Sequence, residues 1–295
     1  MEVKMYKFSV VFVVFICLLT ACTQDEVVPK EQEIEDEQIV VTPDGKVTFE
    51  IINNIKVPQE KVEEIKDELL TAYEVIQNSI QTAYVPSDKI NVYLNEGDLA
   101  SLGLASRIEL YGVKEDRYPL IHELTHSLLG YGKDFDTSSG YFTQEGFASY
   151  LEEKYGENKT YPHKLVKYFM DANKLIPISN LIDSNLDESY FRPVLITEKD
   201  VTLRLMSYTH ASSFVTYLVE TYGLEKFEQI YNEKDLSKKV AEVYGKNMSE
   251  LENEWIVFLN KDSNNLTYEE KMDMGYFFAI SSVIDTIDSK FFSKE

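Results

Sequence analysis

Apolar residues recur at spacings of three and four along one stretch of this chain: Val62, Ile65, Leu69, Ala72, Ile76 and Ile80. That period marks a helix with one buried face. Pro58 suits its first turn and Pro86 stops it, so a helix is predicted from 58 to about 84. Before it, 39–41 and 47–55 are rich in β-branched residues and read as strands on either side of a Pro43-Asp44-Gly45 turn. After it, 89–94 and 107–112 alternate apolar with polar, as half-buried strands do. From Pro119 the pattern turns mostly helical. Helices are predicted at 119–130, 144–155 (capped by Thr143), 162–174, 203–222, 225–231, 249–259 and 268–288. The stretches 133–141 and 176–200 lack periodicity and read as loops. The fold class is therefore α+β: a small N-terminal sheet-plus-helix part, 39–118, and a helical part, 119–295.

The first residues follow another pattern. Lys4 and Lys7 precede an apolar run, Ser9 to Leu19, too short for an ordinary membrane span and followed by acidic residues. The run closes on Leu19-Thr20-Ala21-Cys22, which resembles the lipobox of bacterial lipoproteins. The resemblance implies a signal peptide over 1–21, cleavage before Cys22 and a lipid on its thiol. The protein would then be exported and anchored to the outer face of the cell membrane. Residues 22–38 are acidic, with few apolar positions, and read as a disordered tether.

Composition narrows the partners. With 29 basic and 51 acidic residues the formal charge is −22. Nucleic acid, which needs a basic footprint, is excluded, and adsorption to an anionic lipid surface is disfavoured. Cys17 and Cys22 are the only cysteines, so the body of the protein has no disulfide framework and rests on its core.

The candidate chemistry sits in His122-Glu123-Leu124-Thr125-His126. Positions i and i+4 share one helix face, so both imidazoles can reach one metal ion and Glu123 can reach a water beside it. This is the zinc-hydrolase pattern, in which a catalytic ion takes three protein ligands and keeps one position open. Glu145 follows 19 residues after His126, in Gln144-Glu145-Gly146-Phe147-Ala148. Here the chain resembles the gluzincin metallopeptidases, whose third ligand is a glutamate on the next helix. The stretch from Tyr208 to Phe227 and the segment Leu251-Glu252-Asn253-Glu254-Trp255 extend the likeness to the peptidase MA-like group.

The resemblance implies a zincin-like fold with its cleft between the two parts, and one Zn2+ held by His122, His126 and Glu145. It implies Glu123 as general base and peptides or proteins as substrates. It also implies an oxyanion donor on the downstream helix, Tyr208 first and His210 second. Gly146 is expected to let the Glu145 helix approach the zinc helix, and strand 107–112 to be the edge that pairs with an extended substrate. Asp134, Asp136, Glu152 and Glu153 are poorer ligand candidates, and His163 reads as structural. The aminopeptidase signature G-x-M-E-N is absent, so no aminopeptidase activity is expected. The alternative is an inactive peptidase-like lipoprotein that binds a protein or peptide. An intact Glu123 argues against it, because a binding module needs no general base.

Overall fold

The computed structural model describes residues 38–97, 99–134 and 140–294. The signal segment, Cys22, nearly all of the tether and Asp136 lie outside them. The N-terminal part is a five-stranded mixed sheet with one helix. Its elements in chain order are β1 (Ile39–Val41), β2 (Thr48–Asn53), α1 (Gln59–Gln77), β3 (Lys89–Leu94), β4 (Leu102–Leu104) and β5 (Arg107–Leu110). The order across the sheet is β1-β2-β3-β5-β4. β2, β3 and β5 run parallel, and β1 and β4 close the two edges antiparallel.

Parallel neighbours need a crossover, and α1 supplies it between β2 and β3. The register sets Phe49 beside Ile90, Ile51 beside Val92 beside Ile108, and Leu94 beside Leu110. These side chains are wholly buried, as are Val62, Ile65, Leu69 and Ile76 of α1. The ring of Tyr73 meets Phe49 edge-on, 6.5 Å between centroids, which joins helix to sheet.

Two expectations need correction here. α1 ends at Gln77, not near 84. The Ser79 hydroxyl donates to the Ile76 carbonyl at 2.6 Å, and the Gln81 amide donates to the Glu228 carboxylate at 2.7 Å. Ile80 is nonetheless buried, so an apolar position beyond the helix happened to keep the helical spacing. The strand predicted at 107–112 is also not an edge. β5 lies inside the sheet, and the edge is β4, a Leu-Gly-Leu strand too short to show alternation.

The helical part holds α2 (Leu120–Leu129), α3 (Tyr141–Tyr155), α4 (Pro162–Asp171), α5 (Ile178–Leu181), α6 (Asp187–Phe191) and α7 (Glu198–Tyr222). There follow α8 (Leu224–Glu228), α9 (Leu236–Tyr244), α10 (Met248–Leu259), α11 (Tyr268–Asp273) and α12 (Phe277–Val283). The stretch read as loop over 176–200 thus contains two short helices. The single helix expected over 268–288 is broken between α11 and α12, around Gly275. Thr143 falls inside the first turn of α3 instead of capping it.

α7 is the axis of this part, buried without interruption from Thr209 to Val219. It starts five residues before the predicted position, because the Asp200 carboxylate accepts the Ile196 and Thr197 amides and opens the helix there. Gly146 lets α3 approach α7, not the zinc helix. A Cβ there would lie 2.8 Å from the Ala211 carbonyl oxygen and 2.6 Å from Val215. Among the described residues, no helix is long and apolar enough to cross a membrane.

Candidate metal centre

The segment Leu-Ile-His-Glu-Leu-Thr-His-Ser-Leu-Leu forms α2 because its apolar residues supply a nearly complete buried surface. Its hydroxyls stay satisfied within the helix, Thr125 bonding to the Ile121 carbonyl and Ser127 to that of Glu123. Gly130, at φ 85°, ends it. His122, Glu123 and His126 all sit on this element, with donor atoms within 4.8 Å of one another, a buried group able to hold a metal ion.

A second carboxylate reaches the same point from α3. Glu145 Oε2 lies 3.1 Å from His122 Nε2 and 3.3 Å from His126 Nε2, and the two imidazole nitrogens are 3.1 Å apart. Four-coordinate zinc with bonds of about 2.0–2.1 Å sets its ligand atoms about 3.3 Å apart. The triangle made by these three atoms fits that requirement. Glu123 is the looser neighbour, so distance favours Glu145 as the third donor.

The other oxygen of Glu145 is held independently. Its Oε1 accepts from the Tyr131 hydroxyl at 2.9 Å and from Arg192 Nη2 at 3.1 Å. Arg192 also donates to the Tyr208 hydroxyl oxygen, and its guanidinium lies over the rings of Tyr131 and Tyr141. Glu152, two turns further along α3, accepts the backbone amide of His122 at 3.2 Å. Ser149 Oγ is 3.4 Å from His122 Nδ1. His126 Nδ1 is buried with no hydrogen-bond partner among the described residues.

Burial and charge pull the protonation states apart. Burial drives Glu123 up to about 7, against the pull of His122 and with Glu145 adding to the rise. Burial would raise Glu145 too, but His126 and His122 outweigh it and hold that carboxyl well below its usual range. Burial lowers His126. It also acts downward on His122, where Glu145, Glu123 and Glu152 reverse it and lift the imidazole to about 9. The metal-free site thus keeps one firmly ionised carboxylate facing both imidazoles and one carboxyl poised near neutrality.

The site opens into a cleft of about 670 Å³ lined by β4, α2, α3 and α7. β4 approaches α2 closely at Gly103, where an added Cβ would come within 2.0 Å of the Glu123 carbonyl oxygen. The Gly103 amide also faces the Glu123 carboxyl and opposes its upward shift. Gly103→Ala is therefore expected to push the edge strand off the helix and cost about 1–3 kcal/mol of stability in urea denaturation. An unchanged midpoint would mean that the strand does not rest on α2.

The two proposed oxyanion donors part company. Tyr208 lines the cleft beside Arg192. His210 does not. It is fully buried, accepts the Ile176 amide on Nε2 at 3.1 Å, and bonds through Nδ1 to the Met206 carbonyl. Stacked on Phe169, it has no free nitrogen to offer a substrate. His163 is likewise structural, with Nδ1 2.8 Å from Ser213 Oγ. Asp134 caps the Tyr131 amide and Glu153 accepts from Thr160, so neither meets the histidines.

Sequence reasoning missed Arg192 and Tyr131. Arg192 stood in a stretch without periodicity, and its one flag was rarity, since only four residues of the chain are arginine. No protein-family model matches the chain, and no curated protein matches it.

Proposed function

We propose that the protein is a zinc metallopeptidase of gluzincin type, exported and held outside a bacterial membrane by a lipid on Cys22. The observation that carries this reading is the triangle of His122 Nε2, His126 Nε2 and Glu145 Oε2, with edges of 3.1–3.3 Å, beside a second, unused carboxyl on Glu123. His122, His126 and Glu145 would hold the ion. When bound, zinc supplies a Lewis acid for the scissile carbonyl and lowers the pKa of water.

The chain's own groups do the rest. Glu123 takes the proton of the attacking water and hands it to the leaving amine. Its tendency to sit near neutrality, not at the usual carboxylate value, suits a group that must both accept and release a proton. Tyr208 donates its hydroxyl proton to the oxygen that becomes negative. Arg192 fixes that hydroxyl through its oxygen, and the same guanidinium fixes Glu145. β4, whose outer side has no partner strand among the described residues, is the place where an extended peptide would add.

The test is the zinc content of the purified protein, paired with cleavage of a broad peptide library. One zinc per chain with cleavage supports the reading. One zinc without cleavage supports the inactive, peptide-binding alternative, and no zinc sinks both. His126→Ala removes one of three ligands and is expected to abolish stoichiometric zinc in the same assay. Full retention would place the metal elsewhere.

A further inference from the structure

The cleft differs in charge from the molecule that carries it. The chain has a formal charge of −22, and only four of its 29 basic residues are arginine. Three of those four, Arg117, Arg192 and Arg204, line the cleft. Among the described residues no lysine does, and the only carboxylates that line it are Glu123 and Glu145. The neighbouring cavity on the other side of α2, about 360 Å³, shows the opposite balance: one lysine among six carboxylates.

Arg192 is committed to Glu145 and Tyr208. Arg117 and Arg204 are not committed. Neither makes an ion pair or a side-chain hydrogen bond among the described residues, although the chain carries 51 acidic residues that could have supplied one. Arg117 comes from the turn that leads into α2, and Arg204 from α7, one helical turn before Tyr208. They therefore line the same cleft as the candidate metal ligands, from two different elements. A guanidinium is a planar fork that pairs with a carboxylate through two parallel hydrogen bonds, a geometry an ammonium cannot offer.

Resting on the peptidase reading above, we propose that the cleft selects acidic peptides, with Arg117 and Arg204 receiving Asp or Glu side chains near the scissile bond. The net charge of −22 disfavours anionic partners at long range. Within a Debye length of the site, about 8–10 Å, the two free guanidinium groups dominate instead. The selection is thus local to the cleft.

The experiment uses the full chain carrying Glu123→Gln, loaded with zinc, so that binding is read without turnover. Fluorescent peptides of one sequence carry Asp and Glu, Asn and Gln, or Lys at the central positions. The acidic peptide is expected to bind about tenfold tighter than its amide counterpart. Arg117→Gln or Arg204→Gln should each erase most of that preference. Arg107→Gln, the fourth arginine, paired with Glu109 off the cleft, should keep it.

Equal binding of the three peptides, or preference for lysine, overturns the proposal. So does a preference that survives both cleft substitutions. Cleavage of neutral and acidic peptides alike by the wild type would sink this selectivity and leave the peptidase reading standing. Acidic preference in binding with no cleavage by the wild type would do the reverse.

Discussion

Glu123→Gln is expected to leave the protein folded and loaded with one zinc while lowering peptide turnover by about 10²- to 10⁴-fold, the usual worth of a positioned general base. The substitution is isosteric. The carboxamide keeps the size and shape of the carboxyl, and the buried site loses a charge that burial already disfavoured. The fold has no reason to suffer, so the effect should fall on kcat. Glu145 and both imidazoles are untouched, so the metal should stay. Metal analysis, urea denaturation and single-turnover kinetics on the same sample separate the possibilities. Turnover within tenfold of wild type would remove Glu123 from the role of base. Loss of zinc would make it a ligand, in place of Glu145.

The second large effect is on stability in mild acid, and it comes from two histidines away from the metal site. Burial holds both His163 and His210 down to about 4, from an ordinary value of 6.5. Their hydrogen bonds agree with neutral rings. Ser213 Oγ accepts the Trp255 indole at 3.0 Å, which leaves its own proton to donate to His163 Nδ1. His210 Nε2 must be bare to accept the Ile176 amide.

The direction of the effect follows from these values. Between pH 6.5 and 4 the unfolded chain binds protons at these positions and the folded chain does not. The contribution of these two rings to the unfolding free energy therefore falls as pH drops through 6.5 and levels off below about 4, while Glu123 and His122, whose values are raised in the metal-free site, act in the opposite direction. Each ring contributes a loss of about 3 kcal/mol over that window, in order of magnitude. Urea denaturation of the wild type and of His163→Asn at pH 7.5 and 5.0 isolates one ring: the variant is expected to lose less stability between the two pH values than the wild type, by about 2 kcal/mol. An unchanged difference in that variant would show that His163 titrates as an exposed ring.

Much of the fold was legible because local chemistry and tertiary demand agreed. The β-branched strands, the period of α1 and the glycine end of α2 all encode their elements within a few residues of sequence. Errors fell where local signal was absent or misleading. Leu102-Gly103-Leu104 is a strand only because β5 offers it an edge. α5 and α6 are short turns stabilised by the residues they pack against. Ile80 kept a helical spacing after the helix had ended.

The same division runs through the site. His122, Glu123 and His126 are three side chains on one short helix, and the helix period alone sets them on one face; the sequence determined that much. Everything that reaches them from elsewhere was decided by tertiary structure. Glu145 meets both imidazoles because Gly146 lets α3 lie against α7. Arg192 arrives from a segment without periodicity to bridge Glu145 and Tyr208. His210, two residues after Tyr208 in sequence, points into the core, because 100° per residue sends i and i+2 to different sides of a helix. The physical reason is range. Spacing along a chain governs neighbours within a turn or two of helix, whereas a ligand set drawn from several elements depends on how their buried faces pack.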